Sequence, residues 1–174
     1  MAILSIITAP DPRLKIKCKP VERVDAGVRK LMDDMLETMY TAPGIGLAAP
    51  QVGVAKRVIV VDCSKDEDKP APYCMANPEV LWTSEEQASY EEGCLSLPDQ
   101  YAPVTRPARC RVRYRDAQNE MRETEFEGLL ATCVQHEIDH LDGVLFVDHI
   151  SALKRGMILR KLQKTKKLKD AVPA

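Results

Sequence analysis

The residues best suited to chemistry lie in GLLATCVQHEIDHLDG, Gly128 to Gly143, where His136 and His140 stand four residues apart and Glu137 directly follows the first. On a helix the two imidazoles share one face about 6 Å apart along the axis, close enough to bind one metal ion. Glu137 stands beside that pair rather than between its members. Its carboxylate is poorly placed as a ligand and well placed to take a proton from a water on the metal. This HExxH pattern points to metal-assisted hydrolysis. The plain alternative is a pair of hydrogen-bonded core histidines. Against it, Leu129, Leu130, Cys133, Val134, Ile138 and Leu141 make the stretch largely apolar. Two histidines and a glutamate on such a buried helix are costly without a strong partner, which a metal supplies.

A catalytic metal of this kind typically takes three protein ligands. The remaining histidine, His149, lies nine residues past His140 across a glycine turn. Cys94 is the better candidate, because it sits in EGCLS, where Gly93 lets the backbone bend sharply and a thiolate can project from the turn. Spacing does not decide the matter, since a ligand 42 residues before His136 is placed by the fold. A thiolate with two imidazoles suits Fe²⁺, Zn²⁺, Ni²⁺ or Co²⁺.

These residues need a scaffold, and 174 residues supply one domain with a core that requires no disulfides. The six cysteines show no regular spacing and are expected as reduced thiols, most of them small buried hydrophobes. A composition of 45% hydrophobic and 29% charged residues is that of a globular, soluble protein. No window approaches the roughly 18 apolar residues of a membrane span. The opening MAILSIITAPDPRL lacks the basic lead and cleavage pattern of a signal peptide, so a cytoplasmic location is expected.

Pro10, Pro12 and Pro20 suggest an extended arm, and Asp25 can cap an amphipathic helix over residues 26–40. GIGLAAPQVG, Gly44 to Gly53, reads as a loop that a ligand can approach closely, and Arg57 to Cys63 as a buried strand. Short strands are expected at Glu79 to Thr83 and Ala88 to Glu91, a hairpin at Cys110 to Asp116 and Met121 to Glu127, and a short strand at Val144 to Val147. Ser151 to Lys169 reads as a basic helix with Leu153, Met157, Ile158, Leu162 and Leu168 on its apolar face. The whole is an α+β fold, short antiparallel or mixed sheets packed around a central metal-binding helix. Residues 1–150 are expected to form the catalytic part, and 151–174 a basic helix and tail of the same domain. Eight of the 25 Lys and Arg but only one of the 26 acids fall in that tail, giving it +7 against −8 for the rest. Such asymmetry points to an anionic partner, with a solvated terminal helix as the alternative.

Taken together and in this order, GIGLAAPQ, EGCLS and QHEIDH resemble the three motifs of the peptide deformylase family, and the likeness runs from PDPRL near the start through the last strand. The resemblance implies a hydrolase that removes the N-formyl group from the initiating methionine of new polypeptides. It implies Cys94, His136 and His140 as the metal ligands, ferrous iron as the metal, and Glu137 as general base and acid. Gln51 and the backbone N–H of Leu95 would hold the developing oxyanion, and Gly46 would pair with the substrate chain. Leu129 and Cys133 fall on the ligand face of the helix, and with Ile45 they form an apolar wall suited to a methionine side chain. One departure is Tyr101 in LPDQYAPV, where many relatives carry an arginine; Arg106 is the nearest substitute in sequence.

The rival enzyme is an HExxH endopeptidase, disfavoured by the cysteine ligand and the short chain. The rival non-enzyme is a ribosome-associated binding protein with a structural metal, which would need a fourth protein ligand that only His149 could provide. The expected partners are formyl-methionyl nascent peptides and, through the basic helix, the ribosome; no membrane is expected, and the expected state is a monomer.

Overall fold

The computed structural model describes residues 2–66 and 68–171; residues 172–174 of the basic tail, and the side chains from Lys169 onward, lie outside the described residues. An N-terminal arm with one 3-10 turn, Pro12–Lys15, lies across the body. Its backbone N–H groups donate from Ile7 to Gln51 O, from Ala9 to Ser96 O, and from Cys18 to Leu141 O, at 2.7 to 2.8 Å. Helix α1, Ala26–Thr41, begins where Asp25 accepts from the N–H of Val28 at 2.9 Å.

Strands β1 (Gly46–Ala48), β2 (Val58–Val61), β3 (Tyr73–Thr83), β6 (Arg109–Arg115) and β7 (Met121–Glu127) form one antiparallel sheet in the order β1-β2-β3-β6-β7. The run VIVV in β2 is buried on both faces, as a central strand covered twice should be. Val58 and Val60 pack toward Met32, Met35 and Met39 of α1. Ile59 and Val61 face α2, Gly128–Leu141, through Ala131, Val134, Ile138 and Leu141. The metal-motif helix is thus held down by a sheet that α1 supports from behind.

Strands β4 (Gln87–Cys94) and β5 (Leu97–Pro107) form a separate hairpin. Together with the arm and the residues after α2 it encloses another core, where Leu14, Leu97, Val104, Phe146 and Val147 meet Leu162 of the terminal helix α3, Ala152–Ala171. The arm is pressed against the end of α2. Gly143 has φ +74°, and a Cβ there would lie 2.5 Å from the carbonyl oxygen of Lys15.

The α+β layout stands, with three corrections to its parts. The expected strand at Val144 to Val147 is an extended entry into a 3-10 turn, Phe146–His149, whose leading amide at Leu145 donates to Asp148 Oδ2 at 2.9 Å. The short strand expected at Ala88 to Glu91 is part of a longer hairpin whose second strand, β5, was not anticipated. On α3, Leu162 is buried and Ile158 and Leu159 are packed, but Leu153, Met157 and Leu168 are exposed, so the apolar stripe is narrower than expected.

Candidate active site

The β4–β5 hairpin turns at Leu95 and Ser96, which leaves Cys94 at the end of β4 opposite α2. The Sγ of Cys94 and a ring nitrogen from each of His136 and His140 lie within 4.8 Å of one another. Cys94 Sγ is 3.4 Å from His140 Nε2. His149 is not in this group; its Nε2 lies 2.8 Å from Asp139 Oδ2.

His136 is oriented from two sides. Its Nδ1 is 2.9 Å from Glu92 Oε1, and its ring stacks on Phe146 with centroids 6.2 Å apart. Glu92 is clasped by Arg106, whose Nε and Nη2 donate to its two oxygens at 2.7 and 3.0 Å, while Nη1 donates to Asp139 at 2.8 Å. Arg106 is buried and fully engaged with carboxylates, so it cannot stand in for the arginine that Tyr101 replaces. Burial alone would raise the pKa of Glu92, but the hydrogen bonds from His136 and Arg106 outweigh it and hold the carboxyl below its ordinary value.

Burial disfavours charge on both imidazoles. At His140 it prevails, with His136 beside it adding to the effect, and the pKa falls well below normal. At His136 the facing Glu137, Cys94 and Glu92 overcome burial and raise it. Glu137 is enclosed, and burial pushes its pKa up to about 7. Its Oε1 has no hydrogen-bond partner in the protein and lies 4.0 Å from His140 Nε2.

A single metal ion suits this arrangement. One soft thiolate and two imidazole nitrogens converge, one imidazole is fixed through its second nitrogen by a carboxylate, and an unpartnered buried carboxylate oxygen stands beside them.

Gln51 sits in a 3-10 turn, Ala49–Val52, directly after β1. Its Oε1 accepts from Ala48 N–H at 2.9 Å, which turns the amide so that Nε2 donates to Ser96 Oγ at 3.0 Å and Cys94 Sγ at 3.4 Å. The side-chain N–H groups therefore face the ligand cluster. β1 passes so near the glutamate that a Cβ on Gly46 would lie 2.5 Å from Glu137 Oε2.

A cleft of about 300 Å³ opens from these groups and includes Ile45, Gly46, Leu95, Leu129, Cys133 and Tyr101 in its lining. Ile45 and Leu129 are partly exposed, and Cys133 is buried in the wall with its thiol donating to Ile45 O at 3.6 Å. Every site residue expected from sequence thus reaches the cleft or the ligand cluster. The supporting residues Glu92, Arg106, Asp139 and Ser96 were missed. Glu92 and Asp139 each lie within two residues of an expected ligand, which was the available signal.

A sheet-backed HExxH helix, a cysteine converging with its two histidines as a candidate metal site and an open apolar cleft are the marks of a metal hydrolase. Residues 3–156 match the family described as polypeptide deformylase. A peptide deformylase from Methylocella silvestris is 58% identical over 176 residues, covering 99% of this chain and 90% of its own. One from Mesorhizobium japonicum is 57% identical, covering 99% and 97%. Among solved structures, the peptide deformylase from Ehrlichia chaffeensis superposes with a TM-score of 0.91 at 41% identity, covering 97% of this chain and 99% of its own. The same organism's enzyme in complex with actinonin gives 0.89 at 43% identity, covering 95% and 98%. The chain belongs to the peptide deformylase family. It is a metal-dependent hydrolase of N-formylated polypeptides, which sets aside the endopeptidase and structural-metal readings. Among the described residues no helix is long and apolar enough to cross a membrane.

Proposed function

We propose that Cys94, His136 and His140 hold one divalent ion, ferrous iron, and that Glu137 moves the protons by which the formyl group is cleaved from the initiating formyl-methionine. The observation that carries this reading is the buried, unpartnered Glu137 Oε1 beside three converging ligand atoms. A divalent ion bound there lowers the pKa of a water from 15.7 to about 7. Glu137 accepts a proton from the attacking water and returns it to the amide nitrogen as the carbon–nitrogen bond breaks. Burial favours the protonated form of Glu137, which helps it keep that proton until the amide nitrogen takes it.

As the formyl carbon becomes tetrahedral its oxygen gains charge, and Gln51 Nε2 and the Leu95 N–H donate to it. Loss of one such donor costs about 2.7 to 4 kcal/mol. Ile45, Leu129 and Cys133 receive the methionine side chain, and Gly46 keeps the wall beside Glu137 thin enough for the substrate backbone. The test is hydrolysis of formyl-Met-Ala-Ser by protein purified without oxygen, with metal analysis of the same sample. One iron per chain and turnover confined to the formylated peptide are expected; casein digestion, or turnover by metal-free protein, would overturn the reading.

Residues 1–150 carry this chemistry, and 151–174 are a basic helix and tail of the same domain that dock the cytoplasmic monomer on the ribosome. Lys161, Lys164, Lys166 and Lys167 are all exposed on α3, a geometry suited to rRNA phosphate and to counterion release. Cosedimentation with ribosomes should weaken steeply between two salt concentrations, and binding indifferent to salt would refute the electrostatic contact.

A further inference from the structure

We propose that Cys133, in the wall of the cleft, and Cys63, packed into the same core, form a dithiol, which peroxide closes to a disulfide, reversibly spoiling the pocket for the substrate's first side chain. The carbonyl oxygen of Ile45 brings the two together. It accepts from Cys133 Sγ at 3.6 Å and from the N–H of Asp62, the residue before Cys63, at 2.8 Å. Cys63 packs against the core cluster that contains Cys133, and each thiol is the foremost influence on the other's titration. Both are free. Neither has a part in the hydrolysis beyond Cys133 lining the cleft, and Cys63 is itself partly exposed, which admits a small oxidant to it.

Cys63 is half-buried, and the neighbouring Cys133 thiol lowers its pKa, which favours its thiolate as the first nucleophile. By contrast, burial pushes the thiols of Cys74 and Cys110 up to about 11, which keeps them inert. The Cys63 sulfur attacks the peroxide oxygen–oxygen bond, becoming a sulfenic acid and releasing one water. The Cys133 sulfur then attacks the sulfenic sulfur and expels the second water as the sulfur–sulfur bond forms. Two electrons pass from the two sulfurs to hydrogen peroxide, and both thiol protons leave in water. Once bonded to Cys63, the Cys133 sulfur no longer donates to Ile45 O, and the wall made by Cys133 and Ile45 shifts.

The pocket effect rests on the proposed deformylase site, whereas the disulfide itself does not. The nickel-loaded enzyme is first assayed untreated, which tests the deformylase reading alone, then exposed to a few equivalents of hydrogen peroxide. Alkylation and peptide mass mapping should show a Cys63–Cys133 crosslink with the bound metal retained. KM for the formyl peptide should rise about tenfold with kcat little changed, the scale of a small misfit in an apolar pocket, and a dithiol reductant should restore it. Cys63→Ser, or Cys63→Ala if the serine variant folds poorly, should keep its KM under the same treatment. Absence of the crosslink, a crosslink with unchanged KM, or equal sensitivity of the Cys63 variant would each overturn the proposal.

Discussion

Helix α2 buries ten of its fourteen residues, among them two histidines, a glutamine and a glutamate, whereas α3, with twenty, buries only Leu162 among its described side chains. In sequence α2 reads as a largely apolar, buried helix and α3 as a basic helix with one apolar face, and the structure builds them for opposite ends. In α2, polar groups stay inside because they are held by partners or take part in the reaction. His136 meets Glu92, and Gln135 donates to the carbonyls of Pro107 and Ala131. In α3 the charges stay in water, and a few apolar contacts fasten a helix whose free face is basic. Stability is compromised where polar groups are buried around the cleft and little engaged where a basic face is left in water.

The largest effect expected on this contrast comes from Glu137→Gln. Turnover should fall by about a thousandfold or more, since the amide cannot take a proton, while bound metal stays the same. The variant should also stabilise the metal-free protein at pH 8. The folded pKa of Glu137, about 7, lies above its ordinary 4.5, so the wild type loses stability as pH rises from 4.5 to 7 and carries the full penalty beyond. That penalty is about 3 kcal/mol. Denaturant unfolding of both metal-free proteins measures it, and equal stability at pH 8 would remove the conflict between burial and chemistry from α2.

Arg106→Ala comes next. It strands the buried Glu92 and frees Asp139, which should cost about 3 to 5 kcal/mol and weaken metal binding about 10- to 100-fold through the loosened His136 ring. Unfolding and metal competition are the measurements; unchanged metal affinity would show that Glu92 alone orients the ligand.

On α3 the effects should be smaller and uneven. Leu162→Ala should cost about 2 kcal/mol, while Leu153→Ala and Met157→Ala stay within about 0.5 kcal/mol. Equal losses at all three positions would restore the wide apolar stripe. The smallest effect concerns Asp148, which accepts from Lys15 of the arm and from Arg155 of α3. Burial would raise its pKa, but the hydrogen bonds from Lys15, the Leu145 N–H and Arg155 hold it below 3.8. Its stabilisation is present above that ordinary value and is lost as pH falls through the lower folded one. The margin of the wild type over Asp148→Asn should therefore shrink in acid titrations below about pH 4, and a margin independent of pH would deny the contact any electrostatic part.

Periodic local patterns carried most of the legible fold: the Met stripe of α1, the alternation of β6 and β7, and the apolar positions of α2. β5 escaped because Pro98, Pro103 and Pro107 argue against a strand. They are tolerated here because the two-stranded sheet leaves β5 an unpaired edge, while Ala102, Val104 and Arg106 still alternate inward. The convergence of Cys94, His136 and His140 was legible because two histidines on one helical face share a local geometry, and Cys94 followed from its turn and the motif resemblance. The Glu92–Arg106–Asp139 clasp was not, since it joins β4, β5 and α2 through contacts that no local spacing encodes.

The seating of the arm against the end of α2 also orders events in time. Cys18 N–H meets Leu141 O, and Lys15 crosses Gly143, more than 120 residues later in the chain. The arm therefore waits, undocked, until the end of α2 has been made, and His140 is added just before that closure. A chain made only as far as β5 holds Cys94 without His136 and His140 and cannot bring the three together. An enzyme that acts on other chains can thus close its own fold only after a long stretch of it has been made.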